Sequence, residues 1–166
     1  YENGKLHHEA KYLVLSFPYS NGGFFQLNYG ENMECLLEGL VAIFEHIGGV
    51  PTEIWFDNTR TIVTKIIKGG GRNITERFQR FCEHYRIKPL FMNPESGWEK
   101  GNVENKVGYL RRNHLVPIPR FEDLVEQNKQ FLAYCETDMQ REHYEDGNGR
   151  FIRELFEEDA AHLRPL

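Results

Sequence analysis

The amino-acid sequence predicts an α/β protein, because short apolar runs rich in β-forming residues alternate with segments of helical periodicity. Two runs stand at hairpin distance, KYLVLSF (11–17) and FFQLNY (24–29), and the PYSNGG between them is rich in turn residues. Two more runs, EIWF (53–56) and IKPLFM (87–92), each follow a segment of helical spacing. The order β-β-α-β-α-β-α predicts a mixed sheet flanked by helices, with functional sites at the carboxyl ends of strands.

Capping residues and apolar spacing place the helices. Asn32 and Thr75 are N-cap residues ahead of the first two predicted helices, and Gly48-Gly49 ends the first. Residues 58–72 read as a loop or a short irregular segment ending in GGGR. The remaining predicted helices cover 102–112, 121–139 and 151–163. We therefore expect a core at 1–120 and a C-terminal helical extension at 121–166.

The composition is that of an ordinary globular protein, with 40% hydrophobic and 27% charged residues. No apolar run approaches the length of a membrane span. The three cysteines (Cys35, Cys82 and Cys135) are far apart and form no CxxC pair, so we expect buried thiols in a reducing cytoplasm, not a zinc site. Because the chain starts without Met, it reads as a piece of a longer protein.

The net charge of −5 is unevenly distributed. From Phe121 onward there are 12 acidic residues against 5 basic ones. Two earlier segments are basic: 60–80 has six Lys or Arg against one Glu, and 100–120 has five against one Glu. Solvated surface faces would explain such clusters, but two basic segments flanking acidic residues also suit a nucleic-acid backbone.

Two of those acidic residues stand at structurally informative positions. Asp57 ends the strand EIWF, in which Trp55 is expected to be a core residue, with base stacking as a minor alternative. Glu104 falls on the first turn of the 102–112 helix, where the helix dipole alone would favour an acid. Converging carboxylates without a basic partner repel each other unless they are protonated or bridged by a cation, usually a hard divalent ion.

EIWFDN, followed after a helix–strand unit by NPESGWEKGNVENKVGYLRRN, resembles the catalytic core of DDE transposases and retroviral integrases. Among them, the sequence is most similar to the IstA-type transposases of bacterial insertion sequences. The resemblance covers most of the chain and implies a ribonuclease H-like fold. It also implies metal-dependent cleavage of DNA at transposon ends, followed by strand transfer to target DNA.

The resemblance assigns roles residue by residue. Asp57 matches the second acidic residue of the Asp-Asp-Glu triad and Glu104, 47 positions later, matches the third; both would bind Mg²⁺ or Mn²⁺. Asn58 would lie beside the metal, and Gly108 replaces a basic residue that integrases have one turn after the glutamate. The candidate contacts to nucleic-acid phosphates are Arg60, Lys100, Lys106, Arg111 and Arg112.

The implied partners are DNA, further copies of the same chain and an IstB-type AAA+ ATPase, in the bacterial cytoplasm and without a membrane. The family's first aspartate has no counterpart here, since no Asp precedes Asp57. We therefore expect weak metal binding and no strand transfer by this chain alone. Two alternatives stay open: another ribonuclease H-like nuclease, or a non-catalytic module of the same fold that docks DNA or protein.

Overall fold

The computed structural model describes residues 11–28, 33–56, 63–66, 72–91, 123–143 and 149–166, together with five helical residues: Lys106, Tyr109, Leu110, Arg112 and Asn113. The elements in chain order are β1 (Lys11–Phe17), β2 (Gly22–Asn28), α1 (Met33–Ile47), β3 (Glu53–Phe56), β4 (Val63–Ile66), β5 (Arg72–Ile74), α2 (Glu76–Tyr85), β6 (Lys88–Phe91), α3 (Leu124–Asp138) and α4 (Ile152–Ala161). The predicted α/β class is confirmed.

The strands form three pairs. β1 and β2 are an antiparallel hairpin, and β3 and β6 run parallel. β4 and β5 are a second antiparallel pair within residues 58–72, so the prediction of a loop or irregular segment there was wrong. The error has a physical cause, because strands of four and three residues carry too short an alternation to be separated from a polar loop. Within the described ranges no hydrogen bonds join the three pairs, and the single mixed sheet stays a prediction.

Strand β2 lies at the centre of the core because helices cover both of its faces. Phe25 stacks on Phe131 of α3, with ring centroids 4.5 Å apart. Its neighbour Phe24, which points to the other face, packs against His46 of α1 and Phe156 of α4 at 5.7 and 5.4 Å. Strand side chains alternate between faces, so β2 buries apolar groups on both sides and is almost wholly enclosed.

Helix α2 connects the first half of the core to the parallel pair. Its N-cap is Thr75, as predicted, and the Thr75 hydroxyl accepts from the Phe78 N–H at 3.4 Å. The helix ends at Arg86, whose left-handed backbone (φ 55°) closes the last turn. On the buried side, Phe78 meets Phe56 of β3 edge-on at 5.0 Å. The parallel pair is therefore held by aromatic packing against α2.

The two C-terminal helices pack into the same core. Helix α3 begins at Leu124 under an Asp123 cap, three residues later than predicted, and α4 covers 152–161. After α4 the chain returns to the first half, where Val50 and Arg164 exchange backbone hydrogen bonds of 2.8 and 2.9 Å. The boundary at residue 120 stays a prediction. None of the helices in the described part of the chain combines the length and the apolar character needed to cross a bilayer.

Candidate functional site

The parallel pair forms the frame of the predicted site. In its register Phe56 lies opposite Phe91, so β3 and β6 end side by side. Asp57 is the next residue after Phe56 in the chain, and the NPESGWEKG segment begins two residues after Phe91. Asp57, Asn58, Arg60, Lys100, Glu104 and Arg111 lie outside the described residues, and their positions stay predictions.

Aromatic packing fixes the ends of these two strands. The Phe56 and Phe91 rings lie 6.3 Å apart, and Phe78 of α2 contacts both, at 5.0 and 6.4 Å. Phe56 and Phe78 are buried. Because buried aromatic rings in close packing leave little room for displacement, the backbone that leads into position 57 has a defined place.

Trp55 occupies the opposite face of β3 and is not the core residue that the sequence analysis expected. Its side chain is 47% exposed, and the indole N–H donates to Glu53 Oε1 at 3.1 Å. Helix α2 covers the other face of the pair, on which Ile54 and Phe56 lie.

Lys106 is buried, with only 3% of its surface exposed. Its ammonium donates to the Asn21 backbone carbonyl at 2.6 Å, in the turn between β1 and β2. The stem lies flat on Gly23, where an added Cβ would come within 2.7 Å of Lys106 Cδ. The expectation that Lys106 contacts a nucleic-acid phosphate does not fit this location, because the charge points into the protein.

Lys106 belongs to a polar group that we call the Asp138 cluster: Lys106, Tyr109, Asp138 and Arg141. The side chains of Lys106 and Asp138 are buried, Tyr109 is half-buried and Arg141 is exposed. Asp138 is the last residue of α3, and Arg141 binds its carboxylate in a bidentate manner at 2.8 and 3.1 Å. Lys106 Nζ lies 3.9 Å from Asp138 Oδ2. Tyr109 also hydrogen-bonds the carboxylate, and the Arg141 guanidinium stacks 4.2 Å from the Tyr109 ring centroid.

Burial and mutual contacts shift the pKa values in this cluster. Burial lowers the pKa of Lys106, since the 3.9 Å approach of Asp138 only partly offsets the desolvation of the ammonium. Burial acts to raise the pKa of Asp138, but the hydrogen bonds from Arg141 and Tyr109 outweigh it and the net pKa is lowered. The carboxylate is therefore held ionised between two cations.

Two more of the five described helical residues show which side of this segment is covered. Leu110 is buried, and Tyr109 is half-buried against Arg141. Arg112 is exposed, and this location suits a contact with a phosphate group. No sequence pattern connects Lys106 with Asp138, 32 positions later, so the Asp138 cluster could not be found from the sequence.

The acidic, cysteine and histidine residues that the structure describes do not form a group of three or more suited to a metal ion. Asp57 and Glu104, the predicted ligands, are outside that set. The oxygen ligands that they would supply suit Mg²⁺ or Mn²⁺ better than a softer metal.

Comparison with known proteins identifies relatives over 61–78% of the chain. No protein-family model matches the chain. It is 37% identical over 102 residues to a transposase of Aminobacter aminovorans, covering 61% of the chain and 20% of that protein. It is 30% identical over 131 residues to the transposase for insertion sequences IS1326/IS1353 of Pseudomonas aeruginosa, covering 78% of the chain and 26% of the relative. A putative transposase for insertion sequence element IS5376 of Geobacillus stearothermophilus is 30% identical over 132 residues, 76% of the chain and 32% of that relative.

A structural neighbour is found among virus proteins. A chain in the cryo-EM structure of the simian T-cell lymphotropic virus intasome in complex with PP2A regulatory subunit B56 gamma superposes with a TM-score of 0.63. The match covers 88% of this chain and 48% of the viral one at 15% identity, and at that identity it shows a shared fold alone. The present chain spans about a quarter of the curated relatives' length. These comparisons confirm the resemblance: the chain is related to insertion-sequence transposases.

Proposed function

We propose that this chain is a catalytic-core segment of an insertion-sequence transposase of the DDE type, with a ribonuclease H-like fold. In the intact protein it cleaves DNA at the element's ends and joins the freed 3′-hydroxyl to target DNA. One observation carries most of the argument: two parallel strands end in register at Phe56 and Phe91, and the chain continues from Phe56 directly into Asp57. Carboxyl ends of adjacent parallel strands are where α/β folds build their sites.

Asp57 and Glu104 are the metal ligands in this proposal. Two carboxylates that converge on one cleft need a counter-charge, and Mg²⁺ or Mn²⁺ bound by them would activate a nucleophile and stabilise the leaving oxygen. No aspartate precedes Asp57 in this sequence. A third acidic ligand would therefore be a different residue type or a residue that this sequence does not include. On this basis the chain alone binds metal weakly and transfers no strand.

The phosphate contacts are Arg60, Lys100, Arg111 and Arg112. The exposure of Arg112 supports its place in this set, and the burial of Lys106 removes that residue from it. DNA is the substrate, and further copies of the protein and an IstB-type AAA+ ATPase are the proposed partners of the intact transposase. The relatives named as insertion-sequence transposases support a role in transposition, and the ATPase partner rests on the family resemblance.

The test uses the intact transposase and DNA duplexes that carry the element's ends, with Mg²⁺ present. Asp57→Asn and Glu104→Gln should each lower end cleavage by more than about 100-fold, a larger effect than the loss of an outer-shell partner. Glu53→Gln is the matched control, since Glu53 is an exposed carboxylate on β3, the strand that precedes Asp57 in the chain, and its replacement should leave cleavage intact.

The products of the same reaction separate the alternatives. Strand joining supports a transposase, whereas cleavage without joining would indicate another ribonuclease H-like nuclease. If both substitutions leave transposition unchanged, the chain is a docking module and the proposed metal site is refuted.

A further inference from the structure

The Asp138 cluster presents a physical problem that the proposed chemistry does not explain. A lysine ammonium removed from water costs several kcal/mol unless hydrogen bonds and counter-charges replace its hydration. An apolar side chain at position 106 would avoid this cost, since Gly23 and the surrounding core already offer apolar contact. The ammonium group therefore has a role that apolar packing does not fill. A hydrogen bond constrains both the distance and the angle between its groups, so it fixes the orientation of the segment that carries Lys106.

The contacts of the cluster fix one helical segment to two distant parts of the chain. Lys106 Nζ donates to the Asn21 carbonyl in the β1–β2 turn and lies 3.9 Å from Asp138 at the end of α3. Tyr109, one turn further on, hydrogen-bonds Asp138 and stacks under Arg141. Two residues on one helical face, tied to a turn and to a helix end, prevent the segment from rotating about its axis.

Glu104, the proposed metal ligand, precedes Lys106 by two residues. In a helix, the end of a side chain is about 5–6 Å from the axis, so a rotation of about 10° would move it by about 1 Å. Misplacement of a reacting group by that distance costs about 100-fold in rate. In the helix that the sequence predicts for 102–112, which includes both residues, a cluster that holds the rotation at Lys106 also holds the ligand geometry at Glu104.

We propose that Lys106 and Asp138 are positioning residues for Glu104: Asp138, at the end of α3, holds the buried Lys106 against the Asn21 carbonyl and so sets the orientation of the helix that is predicted to carry Glu104. This inference rests on the proposed function and deepens it. The positioning role also connects α3 to the active site, since the negative charge beside Lys106 belongs to Asp138 at the end of α3.

The test measures Mn²⁺ affinity of the intact transposase by electron paramagnetic resonance, alongside the melting temperature without metal. Asp138→Asn keeps the shape of the side chain and removes its charge. The dissociation constant for Mn²⁺ should rise by about 10–100-fold, the usual effect of losing a group that orients a ligand. Lys106→Met keeps the stem on Gly23 and leaves Asp138 paired with Arg141, so it should fold and show the same loss of affinity.

Two control variants separate positioning from stability. Glu136→Gln makes the same charge change two residues away on α3, where Glu136 pairs with His46 and Arg153 instead of Lys106. Asn128→Ala breaks hydrogen bonds between α3 and β2 and should lower the melting temperature. Both controls should bind Mn²⁺ within about twofold of the unmodified protein, since neither touches a group that orients the ligand.

The outcomes distinguish failure of the proposed function from failure of the positioning role. If Glu104→Gln itself leaves Mn²⁺ affinity unchanged, the proposed function fails. If Glu104→Gln weakens binding but Asp138→Asn and Lys106→Met behave as the controls do, the proposed function stands and the positioning role is refuted. Should Asp138→Asn fail to fold, Lys106→Met alone decides in the same way.

Discussion

At the scale of single residues, Asp138 is a carboxylate with three partners among the described residues. It receives Arg141 in a bidentate manner, the Tyr109 hydroxyl and the nearby Lys106 ammonium. Hydrogen bonds to charged groups stabilise more than neutral ones, and removing one partner from a buried pair leaves an uncompensated charge. Its contribution to stability should therefore depend on its ionisation.

Acid titration tests this dependence. Because the pKa of Asp138 is lowered in the folded protein, its contribution is fully present above the unfolded-state pKa of about 3.9 and is lost as the pH falls through the folded value. The difference in unfolding free energy between the unmodified chain and Asp138→Asn should be constant near neutral pH and shrink below about pH 4. Urea unfolding at a series of pH values measures it, and a difference that grows on acidification would contradict the assignment.

Cysteine reactivity gives a second test at this scale. Burial raises the pKa of Cys82 to about 11 and that of Cys135 to about 12, so both remain protonated thiols at neutral pH. In the native chain at about pH 8, iodoacetamide should alkylate half-buried Cys35 first and the other two at least about 100-fold more slowly. Mass spectrometry of the labelled peptides measures the order, and urea-unfolded protein, in which all three react, is the control.

Prediction from the sequence succeeded for some residues and failed for others, for a common reason. Thr75 was recognised as a cap because its partner, Phe78, is three residues away. Lys106 was misassigned because its partners are 85 and 32 positions away, and a count of charges along the chain does not reveal which face a residue occupies. Trp55 was misassigned because alternation predicts which residues share a face but not which face is covered.

At the scale of elements, the side chain of Asn128 on α3 hydrogen-bonds the backbone of β2 as a neighbouring strand would. Its side-chain oxygen Oδ1 accepts from the Leu27 N–H at 2.7 Å, and its side-chain amide donates to the Leu27 C=O at 2.9 Å. Its backbone carbonyl also accepts from Gln26 Nε2 at 3.3 Å. One asparagine thus satisfies both backbone groups of Leu27 on the strand that the core encloses.

Replacing this asparagine should destabilise the fold. Asn128→Ala leaves the Leu27 N–H and C=O without partners in a partly buried location, which should lower the unfolding free energy by about 1–3 kcal/mol. Lys129→Ala is the control, since Lys129 is exposed and its ion pair among the described residues is with Glu126 on its own helix. Urea denaturation measures both variants, and equal stabilities would show that solvent satisfies Leu27 equally well.

Elements with strong local signals agreed best with the sequence prediction. β1, β3 and α2 lie where turn residues, alternation and a cap placed them, whereas the β4–β5 pair was missed because its strands are too short to show a period. The Asp57 and Glu104 assignments came from resemblance and not from periodicity. The structure adds the parallel pairing of β3 with β6, which no local sequence pattern predicts.

At the scale of the whole molecule, the C-terminal helices complete the core of the preceding strands. Phe156 of α4 packs between Phe17 and Phe24 at 5.2 and 5.4 Å, and the Val50–Arg164 bridge closes the chain on itself. Folding of the first half therefore depends on apolar groups from the second, as expected for one cooperative unit.

Truncation of Phe156 tests this dependence. Phe156→Ala should cost about 3–5 kcal/mol, because a ring is lost from a packed aromatic cluster. Phe151→Ala, whose ring is 47% exposed at the start of the same helix, should cost far less. Thermal unfolding followed by near-ultraviolet and far-ultraviolet circular dichroism should give one coincident transition, whereas two separate transitions would show that the extension folds independently.

We propose that Asp57 and Glu104 meet at one divalent ion beside the ends of β3 and β6. Anomalous diffraction at the manganese edge, from crystals of the intact transposase grown with Mn²⁺ and an end-DNA duplex, tests this shared site. The expected result is an anomalous peak with carboxylate oxygens of both residues about 2.0–2.6 Å away, the range for hard cations. A structure with the two carboxylates on opposite sides of the sheet, or with either one paired to an interior arginine, would refute the shared metal site.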